Sequence, residues 1–317
     1  MNQRRRNKID EIVNYLDKKA LQKTSLAKVI AENITFFKTT YSLFSFYKWL
    51  YTKAPAIKAE DIQELVDIDP DSPYFRELIS SFTTTEKKFI PGLINPLVKK
   101  IIQLIRDKNY RVIISLGAGA MEVEKQVIKK LIRSGNQNPI IFIGNDTSDI
   151  SHSLARENLT GVTPEVAIIE KKLLNEAMLK GIIKETTSTY TIVLCNNDIF
   201  SLDKYFTGTN FDLAYTSFFK HHFMHEQATH IDQMLSRHSK EVIDYDGVKN
   251  KFNIFIQPLF VWKNPVLLNG TVFSNLRYKT KRDLKTHLED VKITTYRMQG
   301  TYLKETTTPV IMGNRTL

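Results

Sequence analysis

Residues 111–119, RVIISLGAG, constrain the fold of this chain more than any other stretch. Val112, Ile113, Ile114 and Leu116 make a short, largely β-branched run that stops at Gly117-Ala118-Gly119. Branched side chains suit a pleated backbone, so a run of this length bounded by glycine predicts a buried strand. Val123, Val127, Ile128, Leu131 and Ile132 then recur at helical spacing, as one apolar stripe would on a helix packed against a sheet. Strand, tight glycine turn and helix is how open α/β sheets bring bare backbone up to a nucleotide-like ligand. Glycine serves there because a side chain would block the approach and because the turn needs unusual dihedrals.

Further strands are expected at 139–144, 190–194, 211–216 and 241–246, with helical patterns at 151–159, 173–183 and 227–237 between them. Such alternation predicts a parallel sheet covered by helices. The tail adds an apolar stretch at 252–268, a helix near 281–289 and strand-like ends at 291–296 and 301–304. Residues 1–107 read instead as all-helical. One stripe is Ile9, Ile12, Val13 and Leu16; another is Leu26, Val29, Ile30 and Ile34. The aromatic segment 36–51 reads as packing between helices in preference to a lid over an apolar substrate. Asp69, Pro70, Asp71, Ser72 and Pro73 form a turn cluster dividing two helical pieces.

A chain of 317 residues, 42% of them hydrophobic, can bury a sizeable core. The net charge of +11 permits nucleic acid, an anionic membrane or an acidic substrate as partner, and demands none. A single cysteine, Cys195, excludes an intrachain disulfide and argues against a thiolate metal site, so no metal is expected. The basic opening MNQRRRNK continues into charged, amphipathic sequence, unlike a signal peptide. No stretch approaches the roughly 18 apolar residues of a membrane span. A cytoplasmic protein is the expectation.

The order of these motifs resembles the class I S-adenosylmethionine-dependent methyltransferases, over about 111–247. In that family the first strand leads from an acidic residue into a GxGxG loop beneath the cofactor. The matching positions are Ser115, Gly117, Gly119 and Met121, so two of three glycines are kept while the acid and the last glycine are replaced. IGNDTSDISHSLARENL is similar to the family's GVDIS…LARENL, which places Asp146, followed by Thr147, at the tip of the second strand. The resemblance implies that Asp146 accepts hydrogen bonds from both ribose hydroxyls. Asp149 is the rival acid, and helix N-capping is the structural alternative for either.

NNDIFSLDKYF before FDLAY resembles the element after the family's third strand. That implies Asn197, Asp198 and Ile199 at the adenine, with Asp198 on the amino group and Ile199 on the ring. A competing register would put the third strand at 166–169 with Glu170 as the acid; the distance to FDLAY favours Asp198 and leaves a long insertion before it. FDLAYTSFFKHHF resembles the family's fourth-strand segment FDLVxSxxxLHH. It implies Thr216, Ser217 and Phe218 bordering the cofactor, beside Ser115, Gly117, Ala118 and Gly119. His221 and His222 would then face the substrate cavity, where imidazole suits a general base near neutral pH.

The expectation is therefore an α/β protein: a Rossmann-like, doubly wound, mainly parallel sheet over 91–317 with an N-terminal all-helical cap over 1–90. Its activity would be methyl transfer from S-adenosylmethionine to the oxygen or nitrogen of a small molecule. A Rossmann dehydrogenase would need glycine where Glu122 stands. The alternative from another class is an RNA- or anionic-surface-binding module, or an RNA methyltransferase, using Arg4, Arg5, Arg6 and Lys8 or Arg277, Lys279, Lys281, Arg282 and Lys285. Steep salt dependence of binding would mark the module.

Overall fold

The computed structural model describes residues 3–21, 25–40, 72–88, 92–162, 166–248, 264–277, 291–296 and 301–307, with single positions 45, 48 and 261. The aromatic segment beyond position 40, most of the apolar stretch from 252 and the helix expected near 281–289 lie outside these residues.

In chain order the elements begin α1 (Gln3–Leu21), α2 (Ser25–Thr40), α3 (Pro73–Lys88), α4 (Asn95–Lys108), β1 (Val112–Leu116), α5 (Glu122–Arg133), β2 (Ile140–Asn145) and α6 (Asp149–Leu159). They continue with β3 (Val166–Lys171), α7 (Glu176–Glu185), β4 (Tyr190–Cys195), β5 (Phe211–Ser217), α8 (His225–His238), β6 (Ser239–Gly247), α9 (Pro265–Arg277), β7 (Val291–Tyr296) and β8 (Thr301–Thr307). Among the described residues no helix is long and apolar enough to cross a membrane.

Two compact units form. The first comprises 1–92, 221–224 and 247–280. Its core joins Ile9, Ile12 and Leu16 of α1 to Ala27, Ile30 and Ile34 of α2, Tyr74 of α3 and Val266 of α9. Ile9, Ile12 and Leu16 of the first predicted stripe thus meet Ile30 and Ile34 of the second, with Val13 and Val29 packed beside them, while the Leu26 side chain lies outside the described residues. The turn cluster ends at Ser72, whose Oγ accepts from the Phe75 N–H at 3.3 Å, with Pro73 opening α3. A hydroxyl before the helix and proline at its first position are the usual way to start one.

The second unit comprises 93–220, 225–246 and 281–317. It is built on an eight-stranded sheet in the order β3-β4-β2-β1-β5-β6-β8-β7. The pairs β3–β4, β4–β2, β2–β1, β1–β5 and β5–β6 are parallel, and β7–β8 is antiparallel. This is the doubly wound, mainly parallel sheet expected from the alternation of elements. From β1 the chain builds outward through β2 on one side, then crosses to β5 and β6 on the other. The crevice outside the carboxyl ends of β1 and β5 is therefore the place where such sheets bind ligands.

The strand beside β2 is β4, in the register favoured over 166–169. The long connection after α6 builds β3 as an added edge strand and α7 after it. Glu170, the rival acid, sits on that edge and pairs with Arg156 at 2.6 Å, both side chains about half exposed. The core lies between α4, α5 and one sheet face: Leu97, Val98, Ile101 and Ile105 meet Val127, Ile128 and Leu131 over Ile113, Phe142, Ile192, Leu213 and Ile243. Burying side chains of this kind stabilises by about 1.5–3 kcal/mol each, which fixes the direction in which the tips of β1, β2 and β5 point.

Candidate functional site

The loop after β1 is held by the tip of β2. The N–H groups of Gly117 and Ala118 donate to the Asn145 carbonyl at 2.9 and 3.3 Å. The next residue, Asp146, accepts from the Gly119 N–H at 2.9 Å through Oδ2 and from the Ser148 N–H at 3.0 Å through Oδ1. One carboxylate therefore joins the glycine turn to the start of α6. Ser148 is the N-cap of α6, its Oγ accepting from the Ser151 N–H at 3.2 Å, so neither Asp146 nor Asp149 has that role. Burial pushes the Asp146 carboxyl pKa up; the Ser148 and Gly119 N–H groups oppose the shift without cancelling it. Each oxygen takes one backbone donor, which leaves acceptor capacity for further hydroxyls. A carboxylate kept in surroundings that disfavour its charge, at the mouth of a crevice, is the usual mark of a ligand site.

Gly117, Gly119 and Met121 all have left-handed backbones, with φ of 63°, 53° and 52°. At Gly119 a Cβ would meet nothing within 4 Å, so the dihedral alone asks for glycine. At Gly117 a Cβ would overlap the Phe219 ring, 2.6 Å from Cε2 and 2.7 Å from Cγ, so close approach asks for it as well. Met121 takes the third glycine's conformation with a side chain attached. That side chain is fully buried and runs into the core, where a Cβ on Gly144 would lie 2.8 Å from its Sδ and 3.0 Å from its Cε. Gly144 of β2 is thus the complement of Met121, and the side chain points away from the crevice. Met121→Gly is expected to destabilise the protein by about 1–3 kcal/mol in chemical denaturation, because lost packing exceeds the strain relieved. A stabilised variant would show that the strain dominates.

Ser115 is buried, and its Oγ donates to Glu124 Oε1 at 2.6 Å. The Tyr215 hydroxyl on β5 donates to the same oxygen. Glu124, in the first turn of α5, thus places a carboxyl beside the end of β1, inside the core. Burial raises the Glu124 pKa, with Ser115 and Tyr215 opposing. Sequence reading missed Glu124; the signal present was a second acid in EVEK beside an apolar stripe.

Other predicted residues fall as follows. Thr147 is exposed beside Asp146, and Ala118 is half-buried in the turn. Asn197 is buried; its Nδ2 donates to the Leu174 carbonyl at 2.8 Å and its Oδ1 accepts from the Leu174 N–H at 2.9 Å. Its backbone pairs with the Asn145 amide, which accepts from its N–H at 2.9 Å and donates to its carbonyl at 3.0 Å. These two amides, like short pieces of extra ladder, lock the tips of β2 and β4 to the segment after β3. Asp198 is exposed and starts a 3-10 turn, accepting from the Phe200 N–H at 3.0 Å and the Ser201 hydroxyl at 2.8 Å; Ile199 is buried behind it. On β5, Thr216 is buried and donates to Asp244 Oδ1 at 2.8 Å, Ser217 is half-buried, and Phe218 has φ of 51° with its ring edge-on to Tyr245.

Gly117, Ala118, Gly119 and Asp146 are thus brought together directly by hydrogen bonds. His221 and His222 belong to the first unit, where His221 Nε2 lies 3.1 Å from Ser274 Oγ and the two imidazoles are 4.1 Å apart. Among the described residues no three His, Cys, Asp or Glu side chains converge as a metal site.

The sequence matches no protein-family model and no curated protein. Solved structures do match. The plantazolicin methyltransferase BpumL, in complex with an analogue and SAH, aligns over 80% of this chain and 100% of its own at 15% identity and a TM-score of 0.49. The methyltransferase domain of a bacterial Hen1 aligns over 69% and 100% at 13% identity and 0.45. Magnesium protoporphyrin IX methyltransferase from Synechocystis PCC 6803, with SAH, aligns over 68% and 83% at 14% identity and 0.38.

Proposed function

We propose that this chain is an S-adenosylmethionine-dependent methyltransferase acting on a small molecule. The observation that carries the reading is Asp146, a half-buried carboxylate at the tip of β2 bonded across to the N–H of Gly119 in the glycine turn. The residues fit the cofactor: a turn with bare backbone, open space at Gly119, and an acid with acceptor capacity left over. Gly117–Gly119 would lie against the nucleoside, Asp146 would take the ribose hydroxyls, and Ile199 with Asp198 would border the base.

When bound, the cofactor supplies an electrophilic methyl carbon on a sulfonium. Displacement there needs the nucleophile aligned with the methyl more than it needs a strong catalyst, so the protein contributes chiefly by holding both. A base helps where the acceptor is a hydroxyl or a protonated amine, and His221 and His222 are the candidates. The names of the structural neighbours, a porphyrin, a plantazolicin and a small-RNA methyltransferase among them, span small molecules and RNA. The small-molecule reading rests on the fourth-strand segment ending in His221 and His222.

Calorimetric titration of the purified protein with S-adenosylmethionine and S-adenosylhomocysteine is the direct test. Saturable one-site binding is expected, and none at millimolar ligand would refute the reading. Once an acceptor is found, His221→Ala or His222→Ala is expected to lower turnover about 10²–10⁴-fold while cofactor affinity holds, if that imidazole is the base. Turnover unchanged across neutral pH in both variants would assign the pair a structural role.

A further inference from the structure

One face of Gly117, in the glycine turn, is covered by the ring of Phe219. Three ring carbons of Phe219 stand where a Cβ on Gly117 would be, so no ligand atom can pass between the ring and that backbone. Phe219 follows β5 and Gly117 follows β1, so the contact lies at the point where the strand order reverses. The residues on either side are fixed. Phe218 has a left-handed backbone, rare and strained for an aromatic residue, and its N–H donates to the Tyr245 carbonyl at 2.9 Å. Lys220 is 4% exposed, with its ammonium 2.5 Å from Asp232 and 2.9 Å from Asp244. Between these anchors the Phe219 side chain is half-buried.

We propose that Phe219 is a gate on the cofactor crevice: its ring on Gly117 is the closed position, and binding requires it to rotate away. The proposal rests on the methyltransferase reading and adds to it a residue that sets cofactor access. The anchors keep the loop backbone in place, so the motion is confined to one side chain. An equilibrium between closed and open ring positions reduces apparent affinity by the fraction open.

The test compares wild type, Phe219→Ala and Phe219→Leu in titrations with S-adenosylhomocysteine, with association rates by stopped flow. Phe219→Ala is expected to bind about tenfold tighter, through faster association, as when a closed state holding about nine-tenths of the molecules is removed; Leu should fall between. Weaker or unchanged binding by Phe219→Ala overturns the gate and makes the ring a wall of the site. The contact itself is read without ligand. Gly117→Ala should lower the melting temperature, and adding Phe219→Ala should restore part of the loss; no restoration also counts against the gate. Should wild type bind no nucleoside at all, the methyltransferase reading fails and the gate falls with it. A gate that fails alone leaves wild-type binding intact.

Discussion

Lys220→Met is expected to lower the free energy of unfolding by about 3–5 kcal/mol, the cost of leaving a buried charge without its partner. For a protein of this size that is a fall in melting temperature on the order of 10 °C. The lysine lies between Asp232 and Asp244, and Asp244 also accepts from Thr216 at 2.8 Å and Tyr302 at 2.7 Å, while Lys304 reaches Asp232 at 3.0 Å. The network thus joins the loop after β5 to α8, β6 and β8. Methionine keeps the volume of the stem and removes the charge. Asp244→Asn in the same background should recover part of the loss, and equal melting temperatures for wild type and Lys220→Met would refute the network's role.

The pH dependence follows from the shifts. Burial pulls the Lys220 ammonium pKa down, but the carboxylates of Asp244 and Asp232 together outweigh it and hold it above the ordinary lysine range. Burial likewise pushes the Asp232 carboxyl up, and Lys220 and Lys304 together bring it below the ordinary aspartate range. A raised lysine contributes fully below its unfolded value, about 10.4, and its contribution fades as pH climbs through the folded one. A lowered aspartate contributes fully above its unfolded value, about 3.9, and its contribution fades as pH drops through the folded one. The network therefore stabilises most between about pH 4 and 10, and Lys220→Met should flatten both limbs of a stability–pH curve measured by denaturant melts.

Asp146→Ala is expected to weaken S-adenosylmethionine and S-adenosylhomocysteine by about 1.5–3 kcal/mol, or roughly 10–150-fold, the loss of hydrogen bonds to a charged acceptor. Unchanged affinity by calorimetry would refute the assignment of this carboxylate to the ribose. Fold stability should also fall, by about 1–3 kcal/mol, because the N–H groups of Gly119 and Ser148 lose their acceptor and Ser148 is buried. The raised pKa of Asp146 also sets a direction. Cofactor affinity in wild type should fall as pH is lowered from neutral through that raised value, since a protonated carboxyl gives up acceptor capacity. The alanine variant should show no such limb.

Sequence alone determined much of this protein because its strongest signals are local. Short apolar runs placed β1, β2, β4, β5 and β6, with glycine closing β1, β2 and β6, and helical spacing from Val123 to Ile132 placed α5. The register of ARENL after Asp146 put that acid at the tip of β2, where it meets Gly119. In each case the residues that make the element also state its boundary.

Tertiary structure decided what depends on partners far along the chain. Nothing near Ser115 announces that Glu124 and Tyr215 complete a buried hydrogen-bonded group with it, since Tyr215 arrives from β5. Met121 in a glycine's conformation is intelligible only with Gly144 opposite, an absent side chain on another strand making room for a present one. The insertion over 160–189 became an edge strand only through its pairing with β4. α9 packs with α1, α2 and α3 although more than 170 residues separate it from α3. The contact between Phe219 and Gly117 is of the same kind. Periodicity and turn chemistry act over a few residues, whereas the closure of a crevice is fixed by which strands lie side by side.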